Sequence, residues 1–140
     1  MADAAPHQPP VTPPSRPLSP HLQIWRWTPA MAASITHRAT GAALYAGTIL
    51  LAIWVFAVAL GAEAFRPVGA ILSSPPGIAV LAGYAWALLF HAFNGLRHLY
   101  WDQGRGLDVK SARATAIAAY AASLGLAGVL VGAALMNRAG

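Results

Sequence analysis

The chain is 140 residues long, 57% hydrophobic and only 9% charged, with a formal net charge of +5. Soluble globular chains carry roughly 25% charged residues, so this composition argues against a water-soluble enzyme. The lack of cysteine removes disulfides, iron–sulfur ligation, zinc–thiolate sites, thiol nucleophiles and c-type haem attachment, leaving His or oxygen as the donors for any cofactor.

From Met1 to Pro20 the sequence is rich in proline and has no apolar run, so residues 1–20 read as an extended or disordered arm. The start offers neither the apolar core of a signal peptide nor, in its first fifteen residues, the Arg or Lys of a transit peptide. A bacterial chain inserted without cleavage is the expectation. Ile24, Trp25 and Trp27 around Arg26 suit an interfacial segment, with aromatic rings at headgroup depth, and Pro29 suits the first turn of a helix.

Three long stretches lack any Asp, Glu, Lys or Arg: Ala39 to Ala62 (24 residues), Pro67 to Leu96 (30) and Ala114 to Asn137 (24). Each exceeds the roughly 20 apolar residues that cross a bilayer core. The first helix is predicted from Ala30 to Leu60, its first turns carrying Ser34, Thr36, His37 and Arg38 at the interface. Gly61 to Gly77, with Pro67, Pro75 and Pro76, reads as a loop in which Val68 to Leu72 forms a shallow surface segment. The second span is predicted over Ile78–Leu99, a polar loop over Asp102–Lys110, and the third span over Arg113–Met136. Ala118, Ala122, Gly125, Gly128 and Gly132 give that last span a small-residue face suited to close helix packing. The predicted fold class is therefore an all-α membrane protein, with residues 21–140 forming one domain of three transmembrane helices behind the Pro-rich arm.

Basic residues orient it. The arm and the second loop hold Arg16, Arg26, Arg38, Arg97, Arg105, Lys110 and Arg113, against Arg66 and Arg138 on the other side. The positive-inside rule then puts the N-terminus in the cytoplasm and the C-terminus in the periplasm of a bacterial inner membrane. The same topology accounts for the basic balance. Nucleic acid is not its partner, since no basic run exceeds one residue and no aromatic–basic stripe lies outside the apolar segments.

Polar residues inside spans are costly and therefore candidates for function. Ser34, His37, Arg38, Gly41 and Tyr45 follow helical spacing and share one side of the first helix. They present a hydroxyl, an imidazole, a guanidinium and a phenol, although a His and an Arg that merely anchor at headgroups would give the same pattern. On the second helix, His91, Asn94, Gly95 and His98 share a face, and His91 lies about 9 Å inside Arg97 along the axis, within the apolar layer. An imidazole there needs a partner, which a packing role, an axial haem ligand or a proton relay each provides. Gly95, one turn away, makes room for the edge of a flat macrocycle and favours haem. His37, Arg38 and His98, nearer the inner interface, would then meet the propionates. A second imidazole for a bis-His b-type haem is missing at the same depth, so the other ligand should come from another chain, a second copy of this one included. Arg97, Asp102, Arg105 and Asp108 read as a solvated loop of mixed charge rather than a catalytic set.

At these residues the chain resembles the cytochrome b membrane-anchor subunit of succinate dehydrogenase, the succinate:quinone oxidoreductase of respiratory complex II. One motif is Arg16-Pro17-Leu18-Ser19-Pro20-His21-Leu22 followed by Pro29 and Ser34-Ile35-Thr36-His37-Arg38-Ala39-Thr40-Gly41; the other is His91-Ala92-Phe93-Asn94-Gly95-Leu96-Arg97-His98-Leu99-Tyr100-Trp101-Asp102. The resemblance implies that His91 is the axial ligand of haem b, with the opposite His supplied by a second membrane-anchor subunit. It implies that Ser34 and Arg38 line a ubiquinone pocket, that His37, Arg38 and His98 contact the propionates, and that Asp102 pairs with Arg97 or a neighbouring subunit. Succinate chemistry would belong to a flavoprotein subunit, linked through an iron–sulfur subunit. The equivalent anchor of a quinol:fumarate reductase is the near alternative, and a haem-free structural or assembly membrane protein is the alternative of a different class.

Overall fold

The computed structural model describes residues 25–139. The Pro-rich arm 1–20, the first motif up to Leu22, His7, His21 and Ile24 lie outside the described residues. The described chain forms four helices: α1 (Pro29–Ala59), α2 (Ala62–Ser73), α3 (Pro75–Asp102) and α4 (Val109–Ala139). Helices α1, α3 and α4 are long and apolar enough to cross a membrane. The all-α architecture of three spans follows the expectation, and the boundaries and one connection differ from it.

Local chemistry explains the boundaries. Thr28 caps α1, its Oγ1 accepting from Met31 N at 3.2 Å, and Pro29 fills the first turn, where a missing N–H costs nothing. Gly61, at φ +98°, turns the chain after α1. The predicted loop from Gly61 to Gly77 is instead largely the helix α2, which has no buried residue and carries Pro67 inside it. Only one carbonyl loses a donor to that proline, and on such a helix that carbonyl is open to its surroundings. Pro75 and Pro76 are not loop residues either. They are the first two positions of α3, capped by Ser74, whose Oγ accepts from Gly77 N at 3.3 Å. A Cβ at Gly77 would lie 2.2 Å from the carbonyl oxygen of Ile71, so only glycine permits this tight α2–α3 corner. At the other end, Asp108 accepts from Ser111 N at 2.9 Å and starts α4 four residues ahead of the expected Arg113.

Helix α3 is central, packing most extensively on α4 and then on α1. Small residues set the spacing. Ala33 of α1, Ala116 and Ala119 of α4 and the fully buried Phe90 of α3 form the core, with Trp86, Phe93 and Tyr120 packed around it. Phe90 and Tyr120 meet at 4.6 Å between ring centroids, and the Tyr120 hydroxyl bonds Thr36 Oγ1 at 2.6 Å, tying α4 to α1. Gly47 lets α1 approach the Tyr84 ring so closely that a Cβ would fall 2.0 Å from it. Within lipid, tails are as apolar as leucine, so van der Waals fit and interhelical hydrogen bonds hold the bundle rather than exclusion of water. Only 11% of the most apolar window of α1 is buried within the chain, leaving its remaining surface for lipid or other subunits.

Candidate functional site

The N-terminal half of α1 and the C-terminal half of α3 meet near one end of the bundle, where both polar clusters lie. His91 is half-buried, and its ring stacks on His37 with centroids 3.9 Å apart and planes inclined by 15°. Its Nδ1 faces the carbonyl oxygen of His37 at 3.2 Å and the Thr40 hydroxyl at 3.4 Å. A carbonyl only accepts, so Nδ1 carries the proton and donates. The Nε2 lone pair is thereby left free to act as a ligand. Thr40, buried, spends its own proton on the carbonyl of Thr36 (2.9 Å) or His37 (3.0 Å) and can receive from His91. Gly41 completes this seat, because a Cβ there would stand only 3.0 Å from His91 Cε1.

The predicted companions gather around it unequally. His98 lies 5.3 Å from His37, ring to ring, and meets Trp101 edge-on at 5.2 Å. His37 Nδ1 is buried without a hydrogen-bond partner among the described residues, a polar atom left for a group that they do not supply. Beside Gly95 nothing lies within 4 Å of a Cβ position, so that face of α3 is open. Ser34 is half-buried and Arg38 exposed on the same stretch of α1. Tyr45, expected on the same stripe, is 81% exposed and contributes nothing to the seat. Among the described residues no group of three or more His, Cys, Asp or Glu is placed to hold a metal ion.

The expectation of a solvated loop is overturned for Arg97, which is 5% exposed; of the two partners expected for Asp102, Arg97 forms no ion pair with it among the described residues. Its Nε donates to Thr115 Oγ1 at 3.0 Å, one terminal nitrogen to Asn94 Oδ1 at 3.3 Å and the other to the Ala112 carbonyl at 3.0 Å. Its guanidinium also stacks 3.9 Å over the Trp101 ring, whose Nε1 donates to Gly106 O at 3.0 Å. The cause is α4: starting early, it brings Ala112 and Thr115 alongside the end of α3. Outside the spans, hydrogen bonds from the Ser111 side chain and backbone hold the Asp108 carboxyl below its ordinary range. Thr40 and Thr115 are the residues that the sequence alone does not single out. Thr40 sits three residues after His37 and four after Thr36, a spacing that places it on their face.

The site is thus a half-buried imidazole with one nitrogen anchored, beside open space and an unpartnered ring nitrogen. Residues 12–130 match the family described as succinate dehydrogenase/fumarate reductase transmembrane subunit. The chain is 42% identical over 113 residues to the succinate dehydrogenase cytochrome b556 subunit of Paracoccus denitrificans, covering 81% of this chain and 87% of that one. It is 40% identical over 97 residues to the mitochondrial succinate dehydrogenase cytochrome b560 subunit of Sus scrofa, covering 68% of this chain and 57% of that longer one. Against the succinate dehydrogenase cytochrome b556 subunit of Rickettsia felis it is 35% identical over 100 residues, 71% of this chain and 77% of that one. The chain thus belongs to the succinate dehydrogenase/fumarate reductase transmembrane subunits, alongside the cytochrome b subunits of succinate dehydrogenase.

Proposed function

We propose that this chain is the anchor that docks the flavoprotein and iron–sulfur subunits of a succinate:ubiquinone oxidoreductase to a bacterial inner membrane, helps bind haem b and forms part of the ubiquinone-reduction site. Its N-terminus faces the cytoplasm, consistent with the basic residues gathered at the end that carries the His cluster. Residues 21–140 act as one membrane domain behind the arm 1–20. The observation that carries the reading is the His91 seat: Nδ1 held by the His37 carbonyl, Nε2 free, and the ring given room by Gly41. Metal-binding histidines are commonly oriented in this way, through an acceptor behind the ring that fixes its tautomer and plane.

His91 would hold the haem iron from one side, and a His of the second membrane-anchor subunit would hold it from the other. The group, when bound, supplies a one-electron carrier. Open space at Gly95 gives clearance for its edge, and His37, Arg38 and His98 offer donors and positive charge to its propionates. Ser34 and Arg38 serve the quinone. Both donate hydrogen bonds to a carbonyl oxygen, and both bonds strengthen as reduction places negative charge on that oxygen. The chain itself performs no succinate chemistry. The fumarate-reducing anchor is a second reading kept open by the family description, which covers both reactions; identifying the native quinone separates the two.

An optical difference spectrum tests the proposal, taken on the complex purified through a tag on this chain before and after succinate. A reduced b-type band in the parent, lost or perturbed in His91→Leu, is the expected result. A normal band in that variant would refute the ligand assignment and return His91 to a packing role in a structural protein.

A further inference from the structure

Arg97 has no part in the site proposed above, yet it is a cation buried at the inner end of a membrane-spanning helix. All of its hydrogen-bond partners are neutral: Thr115 Oγ1, Asn94 Oδ1 and the Ala112 carbonyl. Among the described residues the ion pair formed is Arg66–Glu63, at the opposite end of the bundle. Asp102 and Asp108 are exposed, and Asp108 is engaged with Ser111. A guanidinium stays protonated in proteins, so the charge is fixed. Dipoles solvate it without cancelling it, and in surroundings of low dielectric constant its field extends well beyond contact distance.

A run of ring contacts marks how close that charge stands to His91. The guanidinium lies on Trp101 at 3.9 Å, Trp101 meets His98 at 5.2 Å, His98 lies 5.3 Å from His37, and His37 stacks on His91 at 3.9 Å. Arg97 follows His91 by six residues, a rise of about 9 Å along α3. Resting on the haem reading given above, we infer that Arg97 is an electrostatic positioning residue whose uncompensated charge favours the reduced form of the haem held by His91. Reduction adds one electron and no proton or bond, making the group one unit more negative, and a fixed cation nearby stabilises that product more than the oxidised form. A guanidinium that served only to clamp α3 to α4 would leave the midpoint unmoved when its charge was neutralised in place.

Thr115 allows that neutralisation without touching Arg97. In the purified complex, Thr115→Asp places a carboxylate where the hydroxyl now receives the Arg97 N–H, exchanging a neutral clamp for an ion pair. Thr115→Asn keeps a neutral acceptor. Optical redox titration of the b-type band, with dithionite as reductant and ferricyanide as oxidant, is expected to give a lower midpoint for the Asp variant and the parent's midpoint for the Asn variant, at equal haem content. Equal midpoints in all three would overturn the inference, as would equal shifts in Asp and Asn. If the Asp variant does not assemble, Arg97→Gln and Arg97→Lys provide the same comparison: Gln lowered and Lys near the parent supports it, and Gln unchanged overturns it. A parent complex with no b-type band would remove the haem reading and this inference together, whereas a normal band with an unmoved midpoint removes this inference alone.

Discussion

Replacing Gly41 with alanine would press a methyl group against the His91 imidazole. The added Cβ would stand 3.0 Å from His91 Cε1, with Nδ1 at 3.5 Å and Nε2 at 4.0 Å. Carbon atoms pack best at about 3.5–4.0 Å, so the ring must retreat by about 0.5 Å or tilt. That is as much as a preorganised site tolerates, about 0.5 Å and 10–20°. Because His37 stacks on the His91 ring and its carbonyl holds Nδ1, the retreat also lengthens the 3.2 Å bond that fixes the tautomer. Disturbing a bond that orients a metal-binding histidine typically costs about 10–100-fold in affinity for the bound metal, and the lower end, about tenfold, fits a displacement this small. Helix propensity works the other way, since alanine is favoured over glycine by about 1 kcal/mol within a helix, so the bundle itself should not weaken. The assay is haem content per complex, with the position and width of the reduced b-type band, alongside thermal unfolding in detergent. Lower haem retention or a shifted band with unimpaired helix stability is expected. Unchanged haem content and spectrum would refute the idea that the Gly41 seat positions His91.

Further substitutions probe the rest of the site and the packing beneath it. Arg38→Leu is expected to impair quinone reduction while electron transfer from succinate to an artificial acceptor at the flavin site continues, so the ratio of the two activities is the measurement. Tyr120→Phe removes the 2.6 Å bond to Thr36 but keeps the ring against Phe90; a loss of about 0.6 kcal/mol, typical of an interhelical hydrogen bond in a membrane, should register as a small fall in unfolding temperature. Asp108 has a carboxyl held below its ordinary range by Ser111, so its contribution to the start of α4 is complete above that range and disappears as pH falls through the depressed value. Asp108→Ala should therefore be less stable than the parent at neutral pH and converge with it under acid, as followed by thermal melts across pH.

The three spans and the helical faces that carry His37 and His91 can be read from the chain because each rests on a simple period or a simple exclusion. Uncharged runs of sufficient length admit few structures in a bilayer, and residues spaced at helical intervals must share a side. The features that escape such a reading depend on context instead. Three prolines disguise α2 and the start of α3, since a proline breaks a helix in its middle but begins one well, and only the caps at Gly61 and Ser74 decide between the two. Thr40 is inconspicuous beside two histidines and an arginine, although a single hydroxyl at the right turn completes the seat of His91. Arg97 looks solvated because three other charged residues follow it closely in sequence. Its burial depends on α4, whose Ala112 and Thr115 reach it only after the chain has reversed direction.

That reversal constrains where the gene tolerates change. Surface connections usually accept inserted residues at little cost. Residues 103–108 do not fit that pattern: Gly104 and Gly106 adopt φ of +71° and +67°, and a Cβ on Gly106 would fall 2.3 Å from the Tyr100 ring. The backbone of Gly104 and Arg105 also bonds back to Trp101 and Tyr100, and Gly106 receives the Trp101 indole. An added residue here would break these contacts and release the indole from beneath the guanidinium. Tags and reporter insertions belong at the opposite end of the bundle, on the exposed flank of α2.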